Sequence, residues 1–150
     1  MTPKSRAVRN KSRKLTHADY AALARLRYLL RRFAAFSAAA AQAQGLPARQ
    51  HQALLAIKGH PSDQPMTAGV LAQLLLITPH AATELVDRLK EAGMVVRRRD
   101  ADDRRRLILT LTPKAERALR ALTLVHLREI RATTPALLAV LGKLEPGADP

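Results

Sequence analysis

The chain has 150 residues, of which 26 are Lys or Arg and 12 are Asp or Glu, giving a formal net charge of +14 and a pI near 11.5. That is one domain's worth of chain with a modest core, and its charge points to a polyanion, either nucleic acid or an acidic membrane surface. With no cysteine there is no disulfide, thiolate zinc site or thiol redox switch; with no run of about 18 apolar residues and no apolar leader, membrane insertion and secretion are not expected, and a cytoplasmic location is.

Residues 1–15 hold Lys4, Arg6, Arg9, Lys11, Arg13 and Lys14 with no acid. This composition predicts a disordered basic tail, either an arm that follows DNA phosphates or a solubilising extension. From Thr16 to Gln44 there is no proline or glycine, and Tyr20, Leu23, Leu26, Leu30 and Phe33 recur at three- and four-residue steps. This predicts a long amphipathic helix capped by Thr16, with Arg25, Arg27, Arg31 and Arg32 on its polar side and Gly45-Leu46-Pro47 as its stop. A second helix is expected over 49–58, with Leu54, Leu55 and Ile57, before a Gly- and Pro-punctuated loop over 59–65. Thr67 can cap a third helix whose Val70, Leu71, Leu74 and Leu75 pack inward.

The next helix begins at Thr78-Pro79, a cap followed by a proline at the first helical position. Ala82, Leu85, Val86, Leu89 and Ala92 fall on one side and predict a packed face; His80, Thr83, Asp87, Lys90 and Glu91 occupy the other, and Gly93 ends the helix. By itself this is an ordinary surface helix or a recognition helix whose first turn meets base edges and phosphate. Two β-rich arms follow, Met94-Val95-Val96 and Leu107 to Thr112, around a tip that holds Arg97, Arg98, Arg99, Arg104, Arg105 and Arg106 against Asp100, Asp102 and Asp103. That pattern predicts a hairpin. Its charge is a solvated face in isolation; beside a helix-turn-helix it reads as a basic finger for a minor groove or for phosphates. Thr112-Pro113 starts a helix expected to run to about Ala132, with Ala115, Leu119, Leu122, Val125 and Leu127 as its stripe. A last helix is expected over 135–144, with Leu137, Leu138, Val140 and Leu141, ended by Glu145-Pro146-Gly147. The terminal helices have more apolar surface than one domain needs, which suggests pairing with a second copy.

The run from Thr78 through Val86-Asp87-Arg88-Leu89, Glu91-Ala92-Gly93-Met94-Val95, Asp100 to Arg105 and Leu109-Thr110-Leu111-Thr112-Pro113-Lys114 resembles the MarR family of bacterial transcription regulators, over about residues 19–144. The resemblance implies a homodimer with two recognition helices and two wings set for a two-fold site. It implies that Arg105 enters the minor groove and that Asp103 orients it. It also implies that the second helix, where His51 lies, borders a cleft for small aromatic acids, although His51 itself is read as a surface histidine. The family usually has a glycine between the third and fourth helices, where this chain has Leu76.

The expected fold is mainly α with a small β-hairpin wing: a winged helix-turn-helix lobe over 48–112 and a helical dimerisation region over 16–47 and 113–145. No pair of the histidines His17, His51, His60, His80 and His126 has the spacing of a helical metal site, and no nucleophile elbow, P-loop or dinucleotide fingerprint is present. Catalysis, a metal and a cofactor are not expected. The expected function is a sequence-specific double-stranded-DNA-binding regulator of transcription, most simply a repressor, in contact with no membrane. Two-fold symmetry predicts half-sites about one helical turn apart. Thr78, His80, Ala81 and Thr83 would meet bases, and Arg88 would bind phosphate or hold Asp87. Arg104, Arg105 and Arg106 would supply the wing and Arg97, Arg98 and Arg99 phosphate contacts at its base. Glu84 would accept from a cytosine amino group or turn away from phosphate. A small aromatic or anionic effector could release the dimer by shifting its population to a non-fitting spacing. The alternative is a charge-driven DNA-coating or architectural protein; an RNA-binding module is disfavoured by the scarcity of aromatic stacking platforms.

Overall fold

The computed structural model describes residues 14–144, so the basic tail lies outside the described residues apart from Lys14 and Leu15, as does the stop at 145–147. In chain order the elements are α1 (His17–Ala43), α2 (Ala48–Gly59), α3 (Ala68–Leu75), α4 (Pro79–Glu91), β1 (Val95–Arg99), β2 (Leu107–Leu111) and α5 (Pro113–Leu144). This is a mostly helical winged helix-turn-helix with long helices on either side.

Local chemistry sets the helix starts. Thr16 and Asp19 form a reciprocal capping box at the head of α1, the Thr16 amide donating to Asp19 Oδ2 at 2.7 Å. Thr67 accepts from the Val70 amide and Thr78 from the Ala81 amide, each at 3.2 Å. These bonds satisfy amides that a helix start leaves without an internal acceptor. Gly45 (φ 71°) and Gly93 (φ 69°) reverse the chain after α1 and α4 in the left-handed region that glycine enters without a Cβ clash.

Between α3 and α4 the chain turns through 110°, within the range of a helix-turn-helix. The Ile77 amide reaches back to the Ala72 carbonyl at 3.0 Å, the closing bond of a Schellman turn. The turn requires a left-handed residue, and Leu76 supplies it at φ 53°, ψ 45°. A non-glycine residue there costs about 1–2 kcal/mol. Its side chain, 93% exposed, recovers none of that by burial.

A single core runs from the lobe into the last helix. Leu54 of α2, Leu71 of α3, Val86 and Leu89 of α4, Val95 of β1 and Leu122 of α5 are fully buried, and Ala41, Leu46, Leu109, Ala115 and Leu119 join the same cluster. The hairpin pairs antiparallel from Val95↔Leu111 to Arg99↔Leu107, and the Leu109 amide donates to the Met66 carbonyl at 2.8 Å. The wing's base is thereby tied to the segment entering α3.

Two expectations about packing are corrected. Leu74 does not pack inward but is half exposed, and the buried α3 positions are Leu71 and Ala72. The break expected between two C-terminal helices is absent: α5 runs unbroken through Pro135. A proline inside a helix removes one amide and crowds the carbonyl four residues back, here that of Arg131. The Thr134 hydroxyl donates to the adjoining Ile130 carbonyl at 2.7 Å, and packing on both sides of the proline, through Leu122 and Val140, holds the rod together. No single helix among the described residues is long and apolar enough to cross a membrane.

Candidate nucleic-acid interface

The buried face of α4, Ala82, Leu85, Val86 and Leu89, fixes which side chains remain outside. At its first turn Pro79 has no amide, the Ala81 amide is capped by Thr78, and the Ala82 amide meets the Thr78 carbonyl at 3.0 Å. The amide of His80 stands at the open end of the helix. Thr78 and Thr83 are exposed and Ala81 is half-buried; the Thr83 hydroxyl donates to the Pro79 carbonyl at 3.1 Å. The ring of His80 stands 3.6 Å from the Glu84 carboxylate. Arg88 lies one turn further on and lines a shallow depression with Arg49, Ile77, Ala81 and Glu84.

Asp87 is not held by Arg88. It pairs with Arg97 of β1, Nη2 to Oδ1 at 2.6 Å. Adjacent residues on a helix point about 100° apart and do not face each other, whereas the hairpin brings Arg97 across to Asp87. The contact places Arg97 as a strut between α4 and the wing, a role that sequence spacing could not reveal.

Arg97, Arg98 and Arg99 lie in strand β1, opposite Leu109, Ile108 and Leu107. The tip is built by aspartates. The buried Asp100 accepts from the Asp102 amide at 3.1 Å and is ion-paired with Arg106, Nε to Oδ2 at 3.4 Å, and its own amide donates to the Arg106 carbonyl. Asp103 accepts from the Arg105 amide at 3.0 Å and stands 3.9 Å from Arg106 Nε. The expected Asp103–Arg105 relation is therefore one of carboxylate to backbone, the Asx-turn bond of a short acceptor two residues upstream; the nearby guanidinium is that of Arg106. Arg99 Nη1 donates to the Arg104 carbonyl at 2.9 Å. Among the described residues Arg98, Arg104 and Arg105 make no ion pair, and all three are exposed. Asp100 is the tip residue that sequence reasoning missed; its signal was its place as the first acid after the strand.

The C-terminus of α4 is clasped to the start of α5. Lys114 Nζ donates to the Ala92 carbonyl at 2.8 Å, the Thr112 hydroxyl to the Gly93 carbonyl at 2.7 Å, and the Thr112 amide to the Met94 carbonyl at 3.0 Å. Lysine suits a helix C-terminus because the dipole there is negative. The clasp fixes the end of α4 against the long helix α5.

Residues 44–106 match the MarR family model, the segment that holds the helix-turn-helix and wing just described. Over that segment the chain is similar to the MarR family. A Bacillus subtilis (strain 168) relative, the uncharacterised HTH-type transcriptional regulator YcgE, is 47% identical over 45 residues, 30% of this chain and 29% of its own length. The match thus spans under a third of that relative. AbsC, a MarR family transcriptional regulator from Streptomyces coelicolor, is similar over 88% of this chain and 92% of its own, with 22% identity and a TM-score of 0.69. A mutant of MepR from S. aureus, bound to an oligodeoxyribonucleotide, is similar over 82% and 84% of the two chains, with 21% identity and a TM-score of 0.61. These likenesses show that the MarR-type fold extends beyond the lobe into the long helices.

Behind the MarR-type lobe, α1, α2 and α5 enclose a pocket of about 370 Å³. His51 lines it and is 3% exposed, which corrects the expected surface histidine. His126 is also buried and fully bonded: its Nδ1–H donates to the Leu122 carbonyl at 2.7 Å, and its Nε2 accepts from the Ser37 hydroxyl at 2.7 Å. A carbonyl can only accept, which assigns that tautomer. The His51 ring lies 4.8 Å from that of His126, centroid to centroid, and among the described residues its Nδ1 has no hydrogen-bond partner.

Burial, and secondarily the neighbouring His126, hold the His51 pKa below its ordinary value of 6.5. The unfolded chain then binds this proton more readily than the folded one. The resulting stability is present above about pH 6.5 and declines as the pH falls below it. Thermal unfolding followed between pH 7.5 and 5.5 should show that decline, and His51→Leu should make the profile flatter.

Proposed function

We propose that this chain is a homodimeric, sequence-specific regulator that binds double-stranded DNA to repress transcription in the cytoplasm. The observation that carries the reading is the pairing of an exposed α4 first turn with a wing whose Arg98, Arg104 and Arg105 have no carboxylate partner among the described residues. Arginine left unpaired on a rigid hairpin is available for phosphate or a narrow minor groove. In this reading residues 48–112 form the DNA-binding lobe, and Thr78, His80, Ala81, Thr83 and Arg88 face the major groove. The wing contributes Arg98, Arg99, Arg104, Arg105 and Arg106, with Asp103 fixing the backbone at Arg105 and Arg97 bracing the wing's base. Residues 16–47 and 113–145 form the dimerisation region. Tyr20, Leu23 and Leu30 of α1 and Leu127, Ile130 and Leu138 of α5 are each more than 40% exposed in the single chain, an apolar surface that a second copy would cover.

The pocket beside His51 supports release by a small effector. Its lining includes Phe33, Leu55 and Ile130 but no Lys or Arg, which favours an aromatic ligand over a strongly anionic one. Binding there would loosen or tighten α2 and α5 against α1, and the clasp at Thr112 and Lys114 would pass the change to α4.

The test is selection from a pool of random duplexes at about 0.15 M salt, where non-specific binding is weakened. A recovered two-fold motif with half-sites about one turn apart supports the regulator. A second reading, a DNA-coating protein, is favoured by the +14 charge, and good binding with a featureless recovered pool would establish it instead.

A further inference from the structure

Leu76 pays twice for its place. It holds a left-handed conformation, φ 53°, that glycine enters without strain, and it leaves a large apolar side chain 93% exposed. Leu76 is the non-glycine residue with positive φ among the described residues, and no other large apolar side chain there is as exposed. Glycine would relieve both costs at once, and backbone strain that persists without local compensation marks a place where function supplies the compensation.

Its position says what that function is. Leu76 stands two residues before Thr78, the cap of α4, and its neighbour Ile77 lines the depression that also holds Ala81, Glu84 and Arg88. An apolar side chain at the rim of a helix that enters a major groove has one apolar group to meet on a base edge, the C5-methyl of thymine. Leucine has no donor or acceptor and can read that methyl only by burying it.

Resting on the DNA-binding reading above, we propose that Leu76 is a specificity residue that packs on a thymine methyl beside the recognition helix. The contact explains why a strained, solvated leucine stands at this turn: its surface is covered in the complex rather than in the free protein. Recognition at this point is apolar and complements the polar contacts of Thr78, His80 and Thr83.

The experiment compares the full chain with Leu76→Gly and Leu76→Asn, since asparagine also tolerates the left-handed region but is polar. Each is titrated against a duplex recovered by the wild-type chain and against versions in which each thymine of the half-site is replaced in turn by uracil, which lacks only the methyl. Burying one methyl and its leucine contact predicts a loss of about fivefold in wild-type affinity at one thymine. Both variants should bind the thymine duplex about fivefold more weakly than wild type and be indifferent to that uracil. Leu76→Gly should at the same time unfold at a higher temperature, so that stability and affinity move in opposite directions, which a purely structural role would not produce. Equal or tighter binding of the thymine duplex by Leu76→Gly overturns the inference, as does a loss of the same size on thymine and uracil duplexes. A wild-type chain that retains no duplex overturns the DNA-binding reading itself, and this inference with it.

Discussion

Replacement of Arg105 by alanine is expected to reduce affinity for the selected duplex by about 10- to 100-fold, the scale of one specific arginine contact. The loss on unrelated sequences should be much smaller. Three features single out this arginine. Its amide is pinned by Asp103 at 3.0 Å, its side chain is exposed, and among the described residues no carboxylate holds its guanidinium. Arg97 and Arg106, by contrast, already face Asp87 and Asp100. Titrations of wild type and Arg105→Ala on the selected duplex and on a scrambled one measure the difference. A similar loss on both would make the wing a charge contact and favour the coating protein.

The distinction matters because net charge alone gives every DNA sequence the same attraction. Specificity would require groups held in register, and the tip fixes its backbone with short acceptors. Asp100 and Asp103 receive backbone amides and the Arg106 guanidinium, so the acids between two runs of arginine act as the turn's internal scaffold. Without them six arginines in ten residues would repel one another and the hairpin would splay.

The parts of this molecule legible in the sequence are those set by neighbours along the chain. The capping threonines, the proline at the head of α4, the glycine stops and the buried stripe of α4 all follow from spacing within one or two turns. The turn's departure at Leu76 was visible for the same reason. What spacing could not give were relations between elements. Asp87 faces Arg97 only because the hairpin folds back, and the neighbouring Arg88 was the misleading local candidate. Residue type alone favours an exposed His51, although it stands three and six positions before the buried Leu54 and Ile57, a signal of the inward face. Pro135 favours a break by the local rule, which counts the lost amide and not the packing along the rest of α5.

Core packing of α4 sets a large stability effect in the lobe. Leu89→Ala should destabilise the fold by about 3 kcal/mol, since deleting a fully buried leucine removes transfer free energy and leaves a cavity that rigid neighbours cannot close. Leu89 is 0% exposed, and the Met94 amide donates to its carbonyl at 2.9 Å, so it lies where α4 is anchored to the turn before the wing. For a domain of this size the change corresponds to a fall in Tm of about 6–12 °C, measured at one protomer concentration because self-association would shift the midpoint. Below the new midpoint the duplex affinity of the folded fraction should stay within about threefold of wild type, because the deleted atoms lie on the core side of α4 while Thr78, His80 and Thr83 lie outside. A large loss of affinity in fully folded Leu89→Ala would mean instead that the recognition helix shifts on its bed. Groove contacts would then depend on core packing as closely as on the exposed side chains.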